Sequence, residues 1–150
     1  MKIGILTCSS VTQDLACSSF NCFKELREGE GAFARYNGDV QLAGIINCAG
    51  CGTMVAPHKL IHRVKSLTEL NVKAIHLSTC MMNLCPFKDK YHKLLSETFP
   101  HIKFVKGTHG APPGLSDENF RKSHQELVSS LVTQRKNMAD VIPLIYHSNE

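Results

Sequence analysis

Four short apolar runs punctuate this chain: KIGILT, VQLAGIIN, KAIHLS and IKFVK. Longer segments between them carry apolar residues at helical spacing. The runs are read as strands over about Lys2–Thr7, Val40–Asn47, Lys73–Ser78 and Ile102–Lys106. The second is nearly continuous in apolar residues, as expected of a strand covered on both faces. Phe20, Phe23 and Leu26 form the stripe of a helix from near Ser19 toward Glu28. Ser18 or Ser19 is its expected N-cap. A second helix is expected from Ala56 or Pro57 to Leu70, and a third opens at Pro86 and runs through FKDKYHKLLSETF. Ser116 should cap a fourth, from about Glu118 to Lys136. TCMMNLC reads as a loop, and Asn37-Gly38-Asp39 as a turn. ADVIPLIYHSNE fits either a fifth, edge strand interrupted by Pro143 or a packed extension.

Strands alternating with helices imply an α/β fold. The expected architecture is a three-layer, open, mostly parallel sheet of four to five strands with helices on both faces, Rossmann-like or flavodoxin-like. In such a sheet the carboxyl ends of the strands lie along one edge, where these folds bind ligands. The strand ends here carry Cys8, Cys48, Cys80 and His109. Residues distant in sequence should therefore meet there.

Composition narrows the classes. With 150 residues the chain is long enough for one well-buried core, and 1–150 is read as a single domain. A net charge of +4 with scattered basic residues argues against nucleic acid. No apolar stretch approaches the roughly 20 residues needed to span a bilayer. The N-terminal run is too short for a signal-peptide core, so the chain is expected to be cytoplasmic. No GxGxxG follows the first strand and no GxxxxGK[ST] occurs, which removes the usual support for nucleotide binding.

A cytoplasmic setting decides how the cysteines are read. Seven is an odd number, and a reducing compartment disfavours structural disulfides. Metal ligation, redox chemistry and burial as small hydrophobes remain. Cys48-Ala49-Gly50-Cys51 is the sharpest local motif, since two cysteines so spaced can chelate one ion from a tight turn. The helix after it should favour thiolate over thiol. Cys80 and Cys85 form a looser C-x4-C pair, and Cys8, Cys17 and Cys22 an N-terminal set. Strand alternation puts Ala74, His76, Ser78 and Cys80 on one face, with His76 about 13 Å back, too far to be a co-ligand. His76 is read as a satisfied core histidine or a group behind the ligands. Glycines on either side of His109 leave its ring accessible. His58 and His62 share a helix face with Lys59 and Lys65 and read as solvated; no glutamate follows His58, so a metalloprotease motif is absent. The Met81-Met82 pair reads as packing, and no carboxylate dyad or Ser/His/Asp arrangement is recognisable.

MKIGILTC, CFKELRE with GAFARY, INCAGC, IHLSTCM, the Cys85-Pro86 step and KGTH together resemble the CGGC-domain family over about residues 1–110. The resemblance implies a cysteine- and histidine-rich metal site suggestive of zinc, with no particular reaction. Position by position it reaches Cys8, Cys17, Cys22, Cys48, Cys51, Cys80, Cys85 and His109. Ala49 stands where the family's name has glycine, which matters only if that position needs positive φ. Residues 111–150 lie beyond the resemblance and are expected to cap the sheet.

Three functions compete. The first is a metal-binding protein holding zinc or an iron–sulfur cluster, in one site or two; a small-molecule substrate is compatible with it. The second is a thiol–disulfide enzyme using Cys48 and Cys51. The third is an interaction or sensor domain in which metal only holds the fold.

Overall fold

The structure, a computed structural model, describes residues 1–37, 39–134 and 137–146. Its strands are β1 (Lys2–Thr7), β2 (Gln41–Asn47), β3 (Ala74–Leu77) and β4 (Lys103–Lys106). Its helices are α1 (Phe20–Glu28), α2 (His58–Thr68), α3 (Thr79–Leu84), α4 (Lys88–Thr98), α5 (Asp117–Gln134) and α6 (Met138–Tyr146). All strand pairs are parallel, in the order β2-β1-β3-β4. The chain steps from β1 outward to β2, then returns past β1 to β3. The order thus reverses between β1 and β3, and the crevice at their carboxyl ends is where open α/β sheets place ligands.

The period of two along each strand sorts side chains onto the two faces. Ile3, Ile5, Ala74 and Val105 pack with Cys22, Phe33 and Leu26 on the α1 side. Leu6, Ile75 and Leu77 face Leu60, Val64, Leu67, Tyr91 and Leu95 of α2 and α4. Helix α2 comes close because β1 and β2 offer glycines beneath it. A Cβ at Gly4 would stand 2.7 Å from Leu67 Cδ1, and one at Gly44 2.9 Å from Leu67 Cδ2. A third cluster joins Leu15, Leu131 and Met138 with Cys17, Phe20, Leu127 and Val128. Helices α5 and α6 thereby pack against the loop that follows β1.

Several expectations are corrected. β2 is an edge strand, and its apolar run is only half-covered, with Ile45 exposed. TCMMNLC is mostly helix α3, and Met81 fills the core with 0% exposure. Strand alternation therefore stops before Cys80, which lies in the first turn of α3. Ser19 precedes α1 in a left-handed conformation (φ 61°) with no side-chain cap. 138–146 form helix α6 around Pro143 rather than a fifth strand. Ser116 does cap α5, its Oγ accepting from Asn119 N–H at 3.3 Å. Gly38 of the expected turn, the expected α5 end at Lys136, and His147 lie outside the described residues.

Candidate metal centre

Only two of the eight candidate ligands directly follow a strand. Cys8 comes after β1 and Cys48 after β2, whereas Cys80 and His109 stand three residues beyond β3 and β4. The carboxyl edge nevertheless gathers all eight, in two sets of four. Cys8, Cys48, Cys51 and Cys85 line a cavity of about 170 Å³ together with Met81, Tyr91, Val128 and Val132. Cys17, Cys22, Cys80 and His109 line a larger one of about 360 Å³, with Phe20, Phe120, His124 and Leu127. Cys8 joins the two sets, since its backbone N–H is turned toward the Cys80 sulfur.

Register builds the first set. Thr7 pairs with Asn47, and Cys48 N–H donates to Thr7 O at 3.0 Å, so Cys8 and Cys48 emerge side by side. The Cys8 thiol hydrogen-bonds the Cys48 sulfur, which also accepts Ser9 N–H at 3.4 Å and the Gly50 N–H. These donors outweigh burial and bring the Cys48 pKa down to about 6; the bond from Cys8 is the largest cause. That same bond, followed by desolvation, raises Cys8 far above the ordinary thiol range. Desolvation raises Cys85 as well. The expected source of thiolate character, helix α2, begins only at His58; the donors are Cys8 and nearby amides.

The loop between Cys48 and Cys51 is strained and anchored. Ala49 (φ 64°) and Gly50 (φ 90°) both have positive φ, so the alanine occupies a position that favours glycine. Asn47 Oδ1 holds Ala49 N–H at 3.2 Å. Thr53 Oγ1 bonds Cys48 O, Gly50 O and the Tyr91 hydroxyl, the last at 3.0 Å. Cys48 is buried and Cys51 exposed, so the loop presents one sulfur inward and one toward solvent.

The second set has a different character. Cys22 Sγ lies 3.2 Å from Thr108 Oγ1, yet desolvation lifts its pKa to about 12. Cys17 and Cys80 are raised for the same reason, although Ser78 Oγ sits 2.9 Å from the Cys80 sulfur. His109 is half-buried, meets Phe120 edge-on at 5.9 Å, and is depressed to about 4 by desolvation. Its ring is less accessible than its flanking glycines suggest. Behind the set, Thr108 and Thr79 exchange backbone-to-hydroxyl bonds of 3.1 and 3.2 Å, and Thr79 Oγ1 donates to His109 O at 2.6 Å.

His76 is fully buried and satisfied, by the Tyr36 hydroxyl at 2.7 Å and Gly107 O at 3.0 Å. It is a core histidine, as read. His58 and His62 are exposed, also as read. Sequence reasoning missed Ser9, Thr53, Tyr91, Thr108, Phe120 and His124. The threonines and Tyr91 carry no motif; only strand order brings them under the cysteines.

Among the described residues no three His, Cys, Asp or Glu side chains already converge as a metal-holding group. The first set is therefore a pocket of sulfurs, with its hydrogen bonds made to protein. The family model described as CGGC domain matches residues 2–109. The chain belongs to the CGGC domain family. An uncharacterized protein of Methanocaldococcus jannaschii is 34% identical over 119 residues, covering 73% of this chain and 87% of that relative. No solved structure matches the chain. The CGGC match ends at His109, so α5, which supplies Val128 to both cavities, lies outside it. No helix among the described residues is long and apolar enough to cross a membrane.

Proposed function

We propose that this protein binds a metal ion or iron–sulfur cluster through the cysteine thiolates of the first set. The observation that carries the reading is a single cavity at the strand-order reversal lined by Cys8, Cys48, Cys51 and Cys85. The donor set fits the chemistry. Four thiolates suit tetrahedral zinc, and they suit a cluster equally well. Cys48 is the ligand that deprotonates first, because donors surround its sulfur. Exposed Cys51 provides the entry side. Closing the set requires the Cys8 proton to leave and the side chains to turn inward, since they do not yet converge.

When bound with an open position, such a centre acts as a Lewis acid; with four protein sulfurs it is a structural or carrier site. The chain's own part is to hold the sulfurs in a largely apolar pocket beside Val128 and Val132. The second set can supply three sulfurs and an imidazole, a combination zinc also accepts. Burial raises its thiols as it raises Cys8 and Cys85, but none of them is lowered as Cys48 is, which makes it the weaker site.

Purification without oxygen or affinity metal, followed by an absorption spectrum and analysis for iron, zinc and sulfide, tests the reading. Stoichiometric zinc in a colourless protein, or iron with acid-labile sulfide and a broad visible band, is the expected outcome. A metal-free chain with freely titrating thiols would overturn it and favour thiol–disulfide chemistry.

A further inference from the structure

We propose that Cys8 and Cys48 form a reversible disulfide that ties the ends of β1 and β2 together and, while it lasts, withdraws two sulfurs from the metal centre. The bond itself is independent of the metal reading; its effect on the centre rests on that reading.

Position carries the pairing. Thr7 and Asn47 are register partners, and the Cys48 N–H to Thr7 O bond of 3.0 Å continues the ladder one step further. Adjacent strands lie roughly 4.8 Å apart. A disulfide tolerates Cα separations of about 4.4 to 6.8 Å. The two residues therefore stand at bridging distance without backbone movement. The residue after Cys8 already holds the Cys48 sulfur, Ser9 N–H donating to it at 3.4 Å, and both cysteines pack in the same core cluster. The cavity at these sulfurs gives an oxidant access.

The motif alone would pair Cys48 with Cys51. The structure argues otherwise. Ala49 and Gly50 turn through positive φ, and Thr53 pins the loop to Cys48 O, Gly50 O and Tyr91. Cys51 is thereby left exposed while Cys48 is buried beside Cys8.

A low-molecular-weight disulfide, RSSR, is the oxidant. The Cys48 thiolate attacks one of its sulfurs, forming a mixed disulfide and releasing RS⁻. The Cys8 thiol passes its proton to that RS⁻, giving RSH. Its sulfur then attacks Cys48 Sγ and expels the second RS⁻. Two electrons leave the protein, one S–S bond forms between Cys8 and Cys48, and RSSR is reduced to RSH and RS⁻. The reverse exchange with excess thiol restores the pair.

The test equilibrates the full chain, stripped of metal by a chelator, with oxidised glutathione and maps it by tryptic digestion and tandem mass spectrometry. Trypsin places Cys8 in peptide 3–24 and Cys48 in peptide 36–59. A cross-link between these peptides, with fragments assigning Cys8 and Cys48, is expected in the parent chain. It should persist in Cys51→Ser and vanish in Cys48→Ser. A Cys48–Cys51 loop within peptide 36–59, a link from Cys17 or Cys22, or no disulfide at Cys48 would overturn the proposal. The chain carrying its metal is run in parallel. Slower cross-linking there supports the effect on the centre. Equal rates remove that effect, and with it support for the metal reading, while the cross-link itself stands.

Discussion

The two sulfur sets occupy one sheet edge and use the same residue type, yet their surroundings drive them apart. In the first, donors converge on Cys48 and outweigh its burial, so a thiolate is stable. In the second, burial dominates, and Cys17, Cys22 and Cys80 are held as thiols beside a neutral His109. Cysteine count and spacing do not distinguish these cases. What separates them is the Cys8 thiol, the largest influence lowering Cys48; backbone N–H groups reach sulfurs in both sets, Ser9 at Cys48 and Ser19 at Cys17, each at 3.4 Å.

The sharpest break between the sets should come from ligand removal. Cys85→Ser is expected to weaken metal binding by on the order of 100-fold, because each ligand carries a share of a large binding energy. Cys17→Ser should leave affinity nearly unchanged. Competition against a chromogenic chelator measures both.

A smaller effect isolates the frame beneath the second set. Burial lowers the His76 pKa from 6.5 to about 4. Between those values the unfolded chain takes up a proton that the folded chain refuses. Stability should therefore be steady above about pH 6.5 and fall on acidification toward pH 4, by up to about 3 kcal/mol. Urea unfolding of the chelator-stripped chain at about pH 7 and about pH 4.5 would show it. His76→Gln should remove its share of the difference and leave the remainder to His109, also depressed to about 4, and to His124, lowered by burial. A slope unchanged in that variant would assign the loss to other groups.

Thr108→Val tests the same frame from the side of Cys22. It removes the acceptor for Thr79 N–H and the hydroxyl beside Cys22 Sγ. The expected cost is about 1–3 kcal/mol with metal content unchanged. A loss of metal would show that the second set is part of the centre.

The smallest change acts on the first set with opposite sign. Ala49→Gly relieves a left-handed alanine and should stabilise the chain by about 1 kcal/mol, without altering the ligands. Destabilisation would mean that the alanine makes contacts outweighing its backbone strain.

Much of the fold was legible. β1 has the expected bounds, all four expected strands are present, and Ser116 caps α5 through a hydrogen bond. The errors share a physical cause. The apolar run of β2 says that the strand is apolar, not how many neighbours it has, and strand order makes it an edge. TCMMNLC lacks helix punctuation, and its helicity comes from burying Met81. Of the two readings of the tail, the edge strand fails and the packed extension holds: α6 accommodates Pro143 while packing Met138, Val141 and Ile142 against Leu15. At the site, convergence of the cysteines on one edge followed from the alternating elements. Their division into two sets did not, because it depends on β1 lying beside both β2 and β3 and on α5 packing against the loop that follows β1.

Differential alkylation tests the central claim most directly. The chain with its metal and the chelator-stripped chain are labelled with iodoacetamide, and the sites are mapped by mass spectrometry. The account predicts that metal protects Cys8, Cys48, Cys51 and Cys85 and leaves labelling of Cys17, Cys22 and Cys80 unchanged. Protection concentrated on Cys17, Cys22 and Cys80 would contradict it.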